Sequence, residues 1–335
     1  MSFSRYPEYK DSGIEWLGKL PSTWGVARLK AAAHVIPSNV DKHSKPEEQP
    51  IKLCNYTDVY YNDLITCNLN FMGATASAGE IAKFALAPGD VVITKDSETA
   101  DDIAVPAFVA EPLPGVICGY HLALVRARQG TYGRYLHYLF HARYLRSYFE
   151  VQARGLTRVG ISQSALGNAP IPHPQFAEQN AIADFLDHET AKIDALIEEQ
   201  QRLIDLLEEK RQAVISHAVT KGLDPGAPMK DSGVEWLGEV PAHWRIAPVS
   251  YCIDIQEGPG ILAEDFRDQG VPLVRISGLE GDWVTLQGCN YLDPDKVAAK
   301  WSHFRLKEGD LLISASASMG AVNEVGEETS GAVHY

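Results

Sequence analysis

Residues 10–24 read KDSGIEWLGKLPSTW, and residues 230–244 read KDSGVEWLGEVPAHW. Ten of these fifteen positions are identical at an offset of 220, and Ile14/Val234 and Leu20/Val240 exchange one apolar side chain for another. The offset carries inward. LAPGDVVIT (86–94) aligns with LKEGDLLIS (306–314), and IKLCNYTD (51–58) aligns more weakly with VPLVRISG (271–278). Three collinear matches at one spacing mean duplication, and a period of 220 residues is far too long for a solenoid. The chain therefore holds two copies of a whole domain.

Each copy opens with a pair of tryptophans, Trp16 and Trp24 or Trp236 and Trp244, with Pro21 or Pro241 between them. They read as anchors that fasten an N-terminal arm to the domain, with no ligand role. The Gly89-Asp90 and Gly309-Asp310 pairs are turn signals in front of the apolar runs Val91–Thr94 and Leu311–Ser314, which read as buried strands. After these strands the copies diverge: Lys95, Asp96, Ser97, Glu98, Thr99 in the first, Ala315, Ser316, Ala317, Ser318, Met319, Gly320 in the second. A shared core with different loops suits one scaffold used on two ligands, and plain drift after duplication explains it equally well. In the first copy a further strand, VICGYHLALVRAR, is followed by one aromatic helix over 134–152 whose stripe packs on the sheet.

From Pro174 to about Lys221 the chain runs for more than forty residues without Pro or Gly after the opening proline. Good helix formers dominate, and a helix of that length spans roughly 65–70 Å. Ile193, Leu196, Ile197, Leu203, Ile204, Leu207 and Val214 form a coiled-coil-type stripe, so this helix wants a partner helix.

The 335 residues carry a net charge of −14, and bulk electrostatics therefore do not announce a nucleic-acid binder. The distribution is uneven. Between Pro112 and Gln175 there are seven arginines (126, 128, 134, 143, 146, 154, 158), no lysine and a single acid, Glu150; the long helix carries ten acids against five basic residues. Arginine suits bidentate contacts to phosphate and guanine, so the cluster is a candidate DNA surface. Five scattered cysteines fit free thiols in a reducing cytosol and argue against disulfides or zinc. His43, His121, His137, His141, His173 and His188 lack ligand spacing with carboxylates or cysteines, and His137 and His141, four apart on a helix, read as satisfied histidines. No metal site is expected. Neither a Walker loop nor the Asn/Asp-Pro-Pro-aromatic signature of amino-methyltransferases is present, and nothing supports catalysis. No signal peptide or membrane span is read, which points to the cytoplasm.

The duplicated KDSGxEWLGxxPxxW start, the segment GLTRVGISQSALGNAPIPHP and the FAEQNAIADFLD…VISHAVTKGLD helix together resemble the specificity subunits of type I restriction–modification systems. The resemblance covers essentially the whole chain. It implies an α+β fold: a target-recognition domain (1–173), a long spacer helix (174–222) and a second, incomplete target-recognition domain (229–335). It implies that each domain reads one half of a bipartite double-stranded DNA target, while the helix sets their spacing and docks methyltransferase subunits, with a motor-nuclease subunit joining the larger assembly. No cofactor is implied in this subunit; S-adenosylmethionine belongs to the methyltransferase partner, and ATP and magnesium to the motor. Residue chemistry and loop context select Lys95, Ser97, Arg154, Thr157, Arg158 and Arg275 as candidate DNA contacts. Two other readings stay open, a coiled-coil adaptor whose duplicated domains bind protein and, more remotely, a stand-alone DNA enzyme.

At offset 220, Tyr335 matches Gly115, so the second copy is expected to lack the strand after that point, the aromatic helix, the arginine cluster and a second long helix. The resemblance then implies a C-terminally truncated subunit, expected to have a destabilised second domain and a seam that a self-dimer would cover helix to helix. Light scattering checks this: twice the chain mass is expected at micromolar concentration, and a well-folded monomer contradicts it.

Overall fold

A computed structural model describes residues 6–315 and 320–335; Ser316, Ala317, Ser318 and Met319 of the diverging loop lie outside the described residues. The chain divides into two compact units, Met1–Lys210 and Arg211–Tyr335. The boundary falls inside one continuous helix, Phe176–Lys221, of 46 residues. The helix expected as a separate segment is thus shared between the two units.

The first unit is built on Val91–Thr94, whose four residues are all buried. Gly89, at φ +92°, makes the turn that only glycine adopts freely, and Asp90 closes it by accepting the Ala87 N–H at 2.8 Å. Val91–Thr94 then pairs on both edges, with Leu122–Ala127 and with Pro106–Val109, inside a five-stranded sheet completed by Ala33–Pro37 and Leu64–Ile65. Successive side chains leave opposite faces of a strand. Val91 and Ile93 accordingly enter one core, shared with Tyr135, Leu136, Phe140, Leu145 and Phe149, while Val92 enters a second core. That second core lies against a three-stranded sheet, Val116–Cys118, Gln49–Cys54 and Met72–Ala76.

The aromatic stripe packs as expected, but on two helices. Gly133–His141 and Arg143–Gln152 are separated by Ala142 in extended conformation. The break turns the chain so that Phe149 stacks on Phe140, with ring centroids 5.5 Å apart and planes 12° from parallel. A straight helix would place residues nine apart on different faces.

The duplication is visible strand by strand. Tyr9–Asp11 pairs with Lys19–Pro21 in the register Tyr9↔Pro21, and Met229–Asp231 pairs with Glu239–Pro241 in the register Met229↔Pro241. Gly13 and Gly233 share φ +74°, and Gly18 and Gly238 share φ +66°. Trp24 fastens the first hairpin by donating from Nε1 to Glu178 Oε1 at 2.9 Å, which also accepts from Tyr6. Asp310 repeats the closure of Asp90 by accepting the Lys307 N–H at 2.8 Å.

Past residue 94 the register differs from the constant offset of 220. Pro106↔Ile93 in the first unit corresponds to Val322↔Ile313 in the second. Gly89 N–H donates to Val109 O, and Gly309 N–H to Val325 O. Both comparisons give an offset of 216, because the loop after the central strand is four residues longer in the first copy (322 − 106 = 216 against 313 − 93 = 220). Val333–His334, parallel to Val271–Val274, is therefore the counterpart of Val116–Cys118, parallel to Gln49–Cys54. Tyr335 matches Gly119, and the first part of the strand region expected to be missing is present.

The central strand is dressed differently in the second unit. Leu311 and Ile313 are 60% and 54% exposed, where Val91 and Ile93 are fully buried. Leu311–Ile313 pairs only with Val322–Glu324 among the described residues. A two-stranded ribbon with an open edge is weakly protected. Hydrogen exchange on the purified chain is expected to exchange the Leu311–Ile313 amides at least about tenfold faster than those of Val91–Thr94. Equal protection would contradict this reading.

Candidate nucleic-acid interface

Two segments far apart in sequence meet at the end of the central strand. Asp96–Ser97 pairs antiparallel with Val159–Gly160, in the register Val159↔Ser97 and Gly160↔Asp96, and Ile161 N–H donates to Lys95 O at 2.9 Å. Five of the six candidate residues, Lys95, Ser97, Arg154, Thr157 and Arg158, are thereby gathered in one region. Arg154 and Gly160 exchange both backbone hydrogen bonds, at 3.0 and 2.9 Å, which closes 154–160 into a tight loop. Gly155 permits that closure. Its φ is +149°, and a Cβ there would sit 1.9 Å from Arg158 O. Arg154, Thr157 and Arg158 are exposed along the loop, and Leu156 at its tip is fully exposed.

The members differ in what they can offer. Arg154 spends Nη1 on the carbonyls of Val151 and Ala153, at 3.0 and 3.3 Å, and keeps the rest of its guanidinium outward. Arg158 lies 3.9 Å from Asp96 Oδ1, a loose contact at half exposure. Lys95 is half-buried; its Nζ donates to Ser38 O at 2.7 Å and stands 4.4 Å from the Tyr120 ring centroid. Burial pulls its pKa down. Ser97 is 3% exposed, so it supports the surface from below and has no free edge to give a base. Arg275 belongs to the second unit, where it is half-buried between the Phe266 and Tyr335 rings and donates to Asn290 Oδ1 at 2.9 Å.

Sequence reasoning passed over the aromatic and acidic neighbours of this surface. Tyr120 is 50% exposed, and His121 holds Asp96 at 2.8 Å. Tyr56 and Tyr60 stack at 5.3 Å, and the hydrogen bond from Tyr60 to Asp102 pushes its pKa up to about 12. Exposed aromatic rings among arginines suit base or sugar contacts, since every base offers a π-face. Two of the seven clustered arginines do other work: Arg126 grips Asp90 with two bonds, at 2.8 and 2.6 Å, and Arg134 donates to Asp187 at 2.7 Å.

The seam residues fall along the same stretch of the long helix. Ile193, Leu196, Ile197, Leu203, Ile204, Leu207 and Val214 are each between 47% and 61% exposed. Within the first unit the helix docks through its first turns, where Gln179 and Ala183 are buried and Asp187 accepts from Arg134 and Tyr138.

No family model matches the chain. Against individual proteins it is 25% identical over 178 residues to the type I restriction enzyme MjaVIII specificity subunit of Methanocaldococcus jannaschii, covering 53% of this chain and 40% of that protein. It is 22% identical over 329 residues to the putative type I restriction enzyme MjaX specificity subunit of the same organism, covering 96% of this chain and 73% of that one. The chain is thus similar to type I restriction specificity subunits, in one case over nearly its whole length. The crystal structure of the HsdS subunit from Thermoanaerobacter tengcongensis aligns with 94% of this chain and 74% of its own, at 18% identity and a TM-score of 0.48. Among the described residues, no helix is long and apolar enough to cross a membrane. All five cysteines are free, Cys54 and Cys118 in the core of the first unit.

Proposed function

We propose that this chain is a DNA-sequence-recognition subunit of a type I restriction–modification assembly and has no catalytic role of its own. The observation that carries the reading is the duplicated domain on a single long helix, matched to a specificity subunit over 96% of the chain. In the first unit the reading surface is the 154–160 loop with the Lys95–Ser97 segment beneath it. Arg154 and Arg158 contact phosphate or guanine, Thr157 assists them, and Lys95 contributes charge from a fixed position. The counterpart surface in the second unit includes Arg275. Different loops after a shared strand give the two units different half-sites.

The exposed seam of the long helix receives partner helices, in the first place those of methyltransferase subunits, with a motor-nuclease subunit completing the complex. The S-adenosylmethionine that supplies the methyl group is held by the methyltransferase, and ATP and magnesium by the motor. A reader that works inside such a complex, in the cytoplasm, does not need a positive net charge, since partners neutralise much of the DNA backbone. The adaptor reading predicts no dependence on the arginine loop.

The test uses the chain in complex with its methyltransferase partner, titrated onto target duplex by fluorescence anisotropy. R154A/R158A is expected to bind roughly 10- to 100-fold more weakly, with the salt slope falling by up to about 2. The thermal midpoint is expected to stay unchanged, because both side chains are exposed. Unchanged affinity and slope would contradict the assignment.

A further inference from the structure

Asp63 stands just before the strand Leu64–Ile65, and His137 and His141 stand four apart on the helix Gly133–His141, which puts both rings on one face. Asp63 Oδ1 is 3.1 Å from His137 Nε2 and 3.2 Å from His141 Nε2, and the two Nε2 atoms are 3.3 Å apart. Three polar atoms thus occupy the corners of a nearly equilateral triangle.

Protons alone do not satisfy this triangle. With both rings protonated on Nε2, each donates to Asp63, but the two N–H groups face one another. With His141 protonated on Nδ1 instead, its Nε2 lone pair is set against a carboxylate oxygen. Full protonation of either ring returns the first arrangement. With the carboxylate ionised, each of these assignments leaves one edge repulsive. A cation within bonding distance of all three atoms removes the conflict, because each atom then has a lone pair to give it.

The edges of 3.1, 3.2 and 3.3 Å lie on average nearer the spacing of zinc than that of magnesium. Zinc bound tetrahedrally at about 2.0–2.1 Å needs ligand atoms about 3.3–3.4 Å apart, whereas octahedral magnesium needs about 2.9–3.0 Å. Two imidazoles and one carboxylate are donors suited to zinc and its first-row neighbours. We propose that Asp63, His137 and His141 form a binding site for one divalent transition-metal ion, zinc by choice of ligands.

The surroundings are consistent with this use. The His137 side chain is fully buried, which fixes its ring, while Asp63 and His141 are half exposed and leave the fourth position to water. One contact must open. Arg134 Nη1 lies 3.1 Å from His137 Nδ1, and metal on Nε2 puts a proton on Nδ1. Arg134 keeps its bonds to Asp187 at 2.7 Å and to Tyr138 at 3.1 Å, and Asp187 offsets its charge. The ion would pin the segment around residue 63 to the helix 133–141 and exchange a local negative charge for a positive one.

The test is zinc titration of the full chain after treatment with a chelator, read by calorimetry and by metal content after gel filtration. Visible absorption of the cobalt form reports coordination directly. One ion per chain is expected. D63A and H141A, both at exposed side chains, are expected to lose at least about 100-fold in affinity, beyond what outer-shell substitutions cost. Their circular dichroism without metal is expected to match that of the parent chain, and zinc should raise the thermal midpoint of the parent alone. Failure to bind one equivalent, or equal binding by both variants, overturns the proposal.

Discussion

The Gln179 side chain fixes where the long helix leaves the first unit. Its amide is fully buried, and all three of its bonds go to backbone. Oε1 accepts the Tyr132 N–H at 2.9 Å, and Nε2 donates to Pro174 O at 2.9 Å and Gly130 O at 3.2 Å. Leaving such a group unpaired costs about 1–3 kcal/mol, so the loop before the 133–141 helix, the proline-rich lead-in and the first helical turn are set together. Two turns on, Asp187 accepts from Arg134 and Tyr138 and extends the hold. Beyond these turns the apolar stripe of the helix is exposed, which is the property the proposed spacer with partners requires.

Much of this was legible in the sequence because two copies of one pattern check each other. A turn of Gly and Asp before an apolar run is a common signal, but finding it twice at one offset made the central strand secure. The hairpin registers, the closures by Asp90 and Asp310 and the long helix follow directly. The misreading after residue 94 has a plain cause. A difference of four residues in a loop shifts every later pairing, and loop length is invisible where loop sequences share nothing. The helix break at Ala142 was hidden because alanine is the best helix former, and it is the break that lets Phe149 stack on Phe140.

The candidate surface was only half legible. Charge and glycine singled out 154–158, yet nothing local says that Val159–Gly160 pairs with Asp96–Ser97. The same ladder that makes the surface also buries Ser97, so residue type named it and tertiary structure withdrew it. Asp63 gave no signal, since a carboxylate more than seventy residues before His137 has no motif spacing. Its approach to the two histidines is a product of the sheet edge, where Leu64–Ile65 runs parallel to Pro106–Val109. Burial works against ionisation there, but the two adjacent imidazoles outweigh it and hold the Asp63 carboxyl well below the usual range.

The central claim is that the units of this chain specify DNA sequence for a methyltransferase. Its most direct test is to co-express the chain with a cognate methyltransferase subunit and map adenine methylation by long-read sequencing, before and after exchanging residues 1–170 for those of a similar specificity subunit. The account predicts a bipartite methylated motif in which one half changes with the exchange while the other half stays. A motif that ignores the exchange, or methylation that does not depend on this chain, would contradict it.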